Sequence, residues 1–242
     1  MNQQPKAKIF LADERGCDEK DWYRSYSTFN FGKYYNEHKQ AFDRLYVLND
    51  DTLEGGRRLN MNIKESAVML LLPIVGAVSY KDSFKNEKTV HAGRLHVSYL
   101  PAGAAIEVSN PYTNELINFL QIRIKAEIPE TDNKPEIYSF DLNENKNNLI
   151  PLTTAASTAN TTAATQLPLI AMGKFAGREE AIYTLKNEQN NLFVFIIQGV
   201  FEVQGRLLHA RDGLGLWDVS EDIELEALSN DAIVLMLELS RE

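Results

Sequence analysis

The sequence predicts an all-β protein of two tandem jelly-roll barrels, and three observations carry that expectation. Short apolar or alternating runs recur along most of the chain, the second half repeats the order of events in the first, and no segment keeps a long 3.6-residue apolar period.

In the first half the runs are "VMLLLPIVGAVSY", "GRLHVSYL", "AAIEVSN" and "LINFLQIRIKA". In the second they are "NLFVFIIQGVFEV", "GLGLWDV", "DIELEAL" and "AIVLMLEL". Gly, Asn, Asp and Pro split them, as strand-to-strand turns require. The series "GAVSY", "HAGRLHV", "IEV", "NFLQIRI" returns as "GVFEV", "RDGLGLW", "IEL", "VLMLEL" at slightly shorter spacings. A duplicated unit of about 100 residues, made of short strands and glycine turns, fits two jelly-roll barrels. The expected partition is 1–126 and 127–242, with the boundary inside 126–170, where the chain is rich in Pro, Asn, Thr and Ala. Its Thr/Ala tract reads as a surface loop or one helical turn, and helix elsewhere should be minor.

With 242 residues, of which 44% are hydrophobic, the chain can bury a full core. A net charge of −9 and the lack of any Lys/Arg run argue against direct nucleic-acid binding. The longest apolar run is broken by Pro73 and Gly76, too soon to span a bilayer, and "MNQQPKAKIF" opens no apolar leader. The expected setting is the cytoplasm. Cys17 is the lone cysteine, which permits no internal disulfide and leaves open an incidental or a redox-sensitive thiol.

The segments "DWYRSYSTFNFGKYY", "LYVLNDDTLEGG", "GAVSYKDSFKNE", "PAGAAIEVSNP" and "FLQIRI" resemble the pirin family of bicupins, whose bacterial members include quercetin 2,3-dioxygenases. The resemblance runs from about Val47 to Ile124, extends back to Trp22 and is weaker in the second half. It implies two cupin domains and one metal, usually iron, held in the first barrel by an "HPH" pair and a later "HxE" pair. Such ligands suit first-row metals, and alternate residues on a strand point to the same side. Counting forward from "LNDD" and backward from Gly76 puts the first pair at Asn62 and Lys64. Counting from Gly93 and "PAG" puts the second at Ile106 and Val108, with Asn110 on the family's own asparagine. Hydrocarbons, an amide and an ammonium in place of the donors imply no metal and no cofactor. Lys64 has three readings: a stem covering apolar wall with its head in solvent, a cation holding a small anionic ligand, or a buried amine acting as a base.

His38, His91, His96 and His209 are scattered without ligand spacing and read as surface or hydrogen-bonded histidines. The aromatic run Trp22, Tyr23, Tyr26, Phe29, Phe31, Tyr34 and Tyr35 lacks the flanking basic charge of a nucleic-acid platform. Its expected role is packing where the two barrels meet, as the resemblance implies. Phosphate loops, catalytic carboxylate pairs and hydrolase triads are absent from the sequence.

Two functional classes follow. The first is a non-enzymatic bicupin, binding a small organic molecule in the first barrel or a protein partner, as a monomer or homodimer, with Asn62, Lys64, Tyr80, Ile106, Val108 and Asn110 around the former metal positions. The second is a quercetin 2,3-dioxygenase-like oxidoreductase acting weakly or without the usual metal. The second barrel reads as a structural mate, its interior either filled by Phe193, Phe195, Leu216 and Trp217 or open.

Overall fold

The computed structural model describes residues 5–128, 134–153 and 167–241. The Thr/Ala tract at 154–166 lies outside them. Among the described residues the only helical element is a single 3-10 turn at Ala12–Glu14.

The chain opens with β1 (Lys6–Phe10) and divides into two compact units. The first unit, Gly16–Phe140, begins with β2 (Gly16–Lys20), β3 (Tyr23–Ser27), β4 (Leu45–Leu53) and β5 (Arg58–Asn62). It continues with β6 (Ala67–Val75), β7 (Ala77–Asp82), β8 (Glu87–His91) and β9 (Arg94–Leu100). Strands β10 (Ala105–Ser109), β11 (Ile117–Lys125) and β12 (Glu136–Ser139) complete it. They form an antiparallel seven-stranded sheet, β12-β9-β6-β11-β4-β3-β2, and a four-stranded sheet, β5-β10-β7-β8.

The second unit combines residues 5–15, 141–153 and 168–241. After β1 come β13 (Leu149–Pro151), β14 (Leu169–Phe175), β15 (Glu180–Tyr183), β16 (Asn191–Gln198) and β17 (Phe201–Val203). They are followed by β18 (Arg206–Leu208), β19 (Gly213–Trp217), β20 (Ile223–Ala227) and β21 (Ala232–Leu239). The sheets are β1-β19-β16-β21-β14-β13 and β15-β20-β17-β18. Apart from β2, which has no counterpart, these repeat the strand order of the first unit, so the duplication legible in the sequence is a duplication of topology.

The repeat extends to a defect. Opposite β11 the register jumps between Val75 and Pro73, leaving Ile74 unpaired on β6, and opposite β21 it jumps between Ile196 and Gln198, leaving Ile197 unpaired on β16. Each bulge is followed by a glycine at positive φ, Gly76 at +80° and Gly199 at +79°. Only glycine adopts that geometry cheaply, and a Cβ on Gly76 would lie 2.9 Å from the Ile117 side chain. Pro73 is tolerated in this central strand because β9 pairs with β6 only from Ala67 to Leu71.

The change of unit at Phe140/Asp141 lies inside the expected 126–170 boundary region, while residues 5–15 join the second unit. Lys6–Phe10 pairs with β19 in the second sheet, and Glu136–Ser139 pairs with β9 in the first. The physical reason is the same at both ends: β9 and β19 would otherwise present an open row of backbone donors and acceptors. Inside the second barrel, Phe175, Leu192, Val194, Ile196, Phe201, Leu214 and Leu216 fill the core. Phe193 and Phe195 are buried but do not belong to that cluster, and Trp217 is half-buried.

Phe10 anchors β1: it is 2% exposed and its ring centroid lies 5.7 Å from that of Phe193. Phe10→Ala is expected to destabilise the protein by about 3–5 kcal/mol in urea unfolding. The neighbouring exposed-side change Ile9→Ala should cost less than about 1 kcal/mol.

Candidate functional site

The interior of the first barrel has a hydrocarbon half and a polar half. The hydrocarbon half is laid down by the four-stranded sheet, where Ile106 faces Met61 across β10 and β5, and Val108 faces Leu59 on one side and Tyr80 on the other. Ile63, Val78, Tyr80, Ile106 and Val108 are all buried in one cluster with Met69, Leu71, Leu100, Ile117 and Phe119, and Leu59 and Met61 pack against it.

The six residues expected around the former metal positions do not all meet here. Tyr80, Ile106 and Val108 do. Asn62 and Lys64 are exposed on the outer face, Asn62 bordering a shallow depression of about 370 Å3 with Asn60, Lys81, Ser83 and Glu107. The residues that β5 and its extension turn inward are Leu59, Met61 and Ile63. Val78 and Tyr80 face inward after the bulge, whereas Met69 and Leu71 face inward before it, so strand parity changes at Ile74. A one-residue shift moves every side chain to the opposite face. Lys64 therefore offers no ammonium to the interior. Asn110 is buried but committed: its amide donates to the carbonyls of Leu53 (2.9 Å) and Glu115 (2.7 Å), and its oxygen accepts the Tyr112 N–H at 2.9 Å.

The polar half lies on the seven-stranded sheet. Ser25 and Ser27 on β3, Asn49 and Asp51 on β4, Gln121 and Arg123 on β11, and His96 and Ser98 on β9 are all buried, in phase with the apolar residues of the core. Register aligns Ser27, Asn49, Gln121, Leu71 and His96 in one row across five strands. Sequence reasoning missed this row. The signal was present in "LYVLNDDTL" and "INFLQIRIK", where Asn49, Asp51, Gln121 and Arg123 fall at the same parity as Leu53 and Phe119.

Several of these groups lack partners. Both side-chain polar atoms of Asn49, Oε1 of Gln121, Nδ1 of His96 and Nε of Arg123 are buried without a hydrogen bond. Around them, Tyr23 Oη donates to Asp51 Oδ1 at 3.1 Å, His96 Nε2 lies 2.6 Å from Ser98 Oγ, and Tyr80 Oη donates to Asp82 Oδ2 at 2.9 Å. The Tyr80 and His96 rings are 4.4 Å apart. Arg123 Nη2 donates to the thioether of Met61 at 3.0 Å.

Burial sets the ionisation of the site. It pushes the Asp51 carboxyl up to about 7, with Asp50 adding to the effect and the Ser25 and Tyr23 hydroxyls and the Arg123 charge opposing it. It pulls His96 down to about 4, so the imidazole is neutral at physiological pH. Burial also raises the Tyr23 and Tyr80 phenols, which stay protonated. Among the described residues, no group of three or more His, Cys, Asp or Glu is placed to hold a metal ion, and no helix is long and apolar enough to cross a membrane.

Two antiparallel barrels of matching topology define a bicupin. Residues 155–239 match the family model of the quercetinase C-terminal cupin domain. The quercetin 2,3-dioxygenase of Escherichia coli K12 is 25% identical over 224 residues, covering 93% of this chain and 95% of its own length. A pirin-like protein of Caulobacter vibrioides is 24% identical over 234 residues, covering 93% and 96%. The crystal structure of the E. coli bacterial pirin YhhW in complex with nickel(II) superposes with a TM-score of 0.83 at 22% identity, covering 98% of this chain and 100% of that one. The chain is thus similar in sequence to quercetinase-like and pirin-like cupin proteins and shares their fold.

Asp51 gives the site a measurable pH signature. Its folded pKa of about 7 exceeds the ordinary 3.8, so its stabilising contribution is full below pH 4 and is lost as pH rises through 7. His96, lowered from 6.5 to about 4, contributes in the opposite sense: stability present above pH 6.5 is lost as pH falls toward 4. Asp51→Asn should remove the first slope alone, so its urea midpoint relative to the native chain should improve from pH 4 to pH 7 and level off above that. A pH-independent difference would show that Asp51 titrates normally.

Proposed function

We propose that this protein is a pirin-like bicupin that works without a metal, as a cytoplasmic, non-enzymatic binding or regulatory protein whose first barrel takes up a small organic molecule. One observation carries the reading: the strands β5 and β10 turn only Leu59, Met61, Ile63, Ile106 and Val108 inward. Hydrocarbons have no lone pair, and a single thioether is a poor ligand for a divalent first-row cation without imidazole or carboxylate beside it. The donor-type groups elsewhere in the barrel are engaged separately, His96 by Ser98 and Asp51 by Tyr23. These residues do not fit a divalent metal. The buried polar row on the opposite wall supports binding, since such groups are ordinarily paired in a finished core. The net charge of −9 disfavours nucleic acid as the partner.

The second reading is a quercetin 2,3-dioxygenase-like oxidoreductase, favoured by the name of the E. coli relative that aligns over 93% of this chain. Metal analysis and oxygen uptake separate the two. Untagged protein is expected to hold iron, manganese, nickel, copper and zinc far below stoichiometry, and to consume no oxygen with quercetin, with or without added iron. Near-stoichiometric metal would contradict the metal-free reading, and turnover surviving a chelator would establish the enzyme.

A further inference from the structure

Three features compete for a further role. The outer face of the second four-stranded sheet gathers Glu180, Glu202, Glu224 and Glu226 around a depression of about 240 Å3, with nothing beyond its acidity to indicate a ligand. An apolar groove of about 500 Å3 between Leu149, Pro151, Ile170 and Ile182 offers no indication of its occupant. The unpaired row inside the first barrel carries more, because its atoms specify a chemistry.

We infer that this row is a recognition site for a small, uncharged, flat molecule bearing a cis-amide (lactam) edge, the N–H and C=O lying side by side in a ring. The inference rests on the metal-free reading of the same barrel. Asn49 leaves both its N–H donor and its C=O acceptor unpaired, and the pattern complementary to a whole carboxamide edge is another amide edge presenting C=O beside N–H. Gln121, its direct neighbour across β4 and β11, adds an unpaired acceptor for a further N–H. His96 Nδ1 and Arg123 Nε extend the unpaired set to two more residues of the same sheet face.

Asn49 and Gln121 carry no charge, so the row itself offers no counter-ion to a charged guest in a desolvated interior. Shape favours a ring, because Leu71, Phe119, Ile106 and Val108 form an apolar wall for its face.

The test is thermal unfolding with uracil and with 1,3-dimethyluracil, which is similar in ring and polarity but has no N–H. Uracil should raise the native chain's midpoint by a concentration-dependent, saturable shift, and 1,3-dimethyluracil should not. In Asn49→Leu/Gln121→Leu the uracil shift should vanish while the ligand-free midpoint stays level or rises, since two unpaired amides have been removed from the core. No uracil shift, an equal shift with 1,3-dimethyluracil, or a shift retained in the variant would overturn the site and leave ordered water as its occupant. The comparison of the two uracils on the native chain decides the matter even if the variant fails to fold. Stoichiometric metal would sink the metal-free reading whatever uracil does, whereas absent metal with absent shift would sink this site alone.

Discussion

Side chains along a β-strand alternate strictly, and everything inside the first barrel depends on where that alternation changes phase. The unpaired Ile74 and the positive-φ Gly76 supply the phase change between β6 and β7. With it, Met69 and Leu71 before the bulge and Val78 and Tyr80 after it share one core. The same device recurs at Ile197 and Gly199 in the second unit, so it belongs to the architecture and not to one strand's irregularity. On β5, whose phase follows from its pairing with β10, Met61 and Ile63 look inward while Asn62 and Lys64 look out.

The two barrels solve their cores differently. The second is filled by aliphatic and aromatic side chains, and its buried carboxylate Glu238 is fully employed, accepting from Tyr183 Oη, Asn190 Nδ2 and the backbone N–H groups of Lys186 and Asn187. The first keeps Asn49, Asp51, Gln121, Arg123 and His96 on one wall, with several atoms unpaired. Each unpaired buried group costs roughly 1–3 kcal/mol, so hydrocarbon replacements would make a more stable scaffold. Stability alone does not account for such a wall. The proposed guest would complete its hydrogen bonds.

Strand content, duplication and the pirin-like character were legible because they rest on periodicity and on motif strings such as "LYVLNDDTLEGG". The exchange of edge strands was not: "KAKIF" and "EIYS" carry no signal naming the sheet they complete, since any open edge offers the same backbone groups. The inward face of β5 was not legible either, because motif spacing from "LNDD" and Gly76 fixes positions along the chain and not which parity turns inward. A bulge adds one residue without leaving a mark in an apolar run, and "LLLPIVG" reads as continuous strand on either side of it. Polar residues at core parity in β4 and β11 were visible, but two-sided apolar strands hide which parity faces the interior.

Thiol labelling in a Cys17→Ser background tests the phase of β5 most directly. A cysteine at Asn62→Cys should react with an aromatic disulfide reagent as fast as an exposed thiol. One at Ile63→Cys should react only as fast as the protein unfolds. The reverse pattern would put Asn62 and Lys64 inside the barrel and contradict the account of its walls.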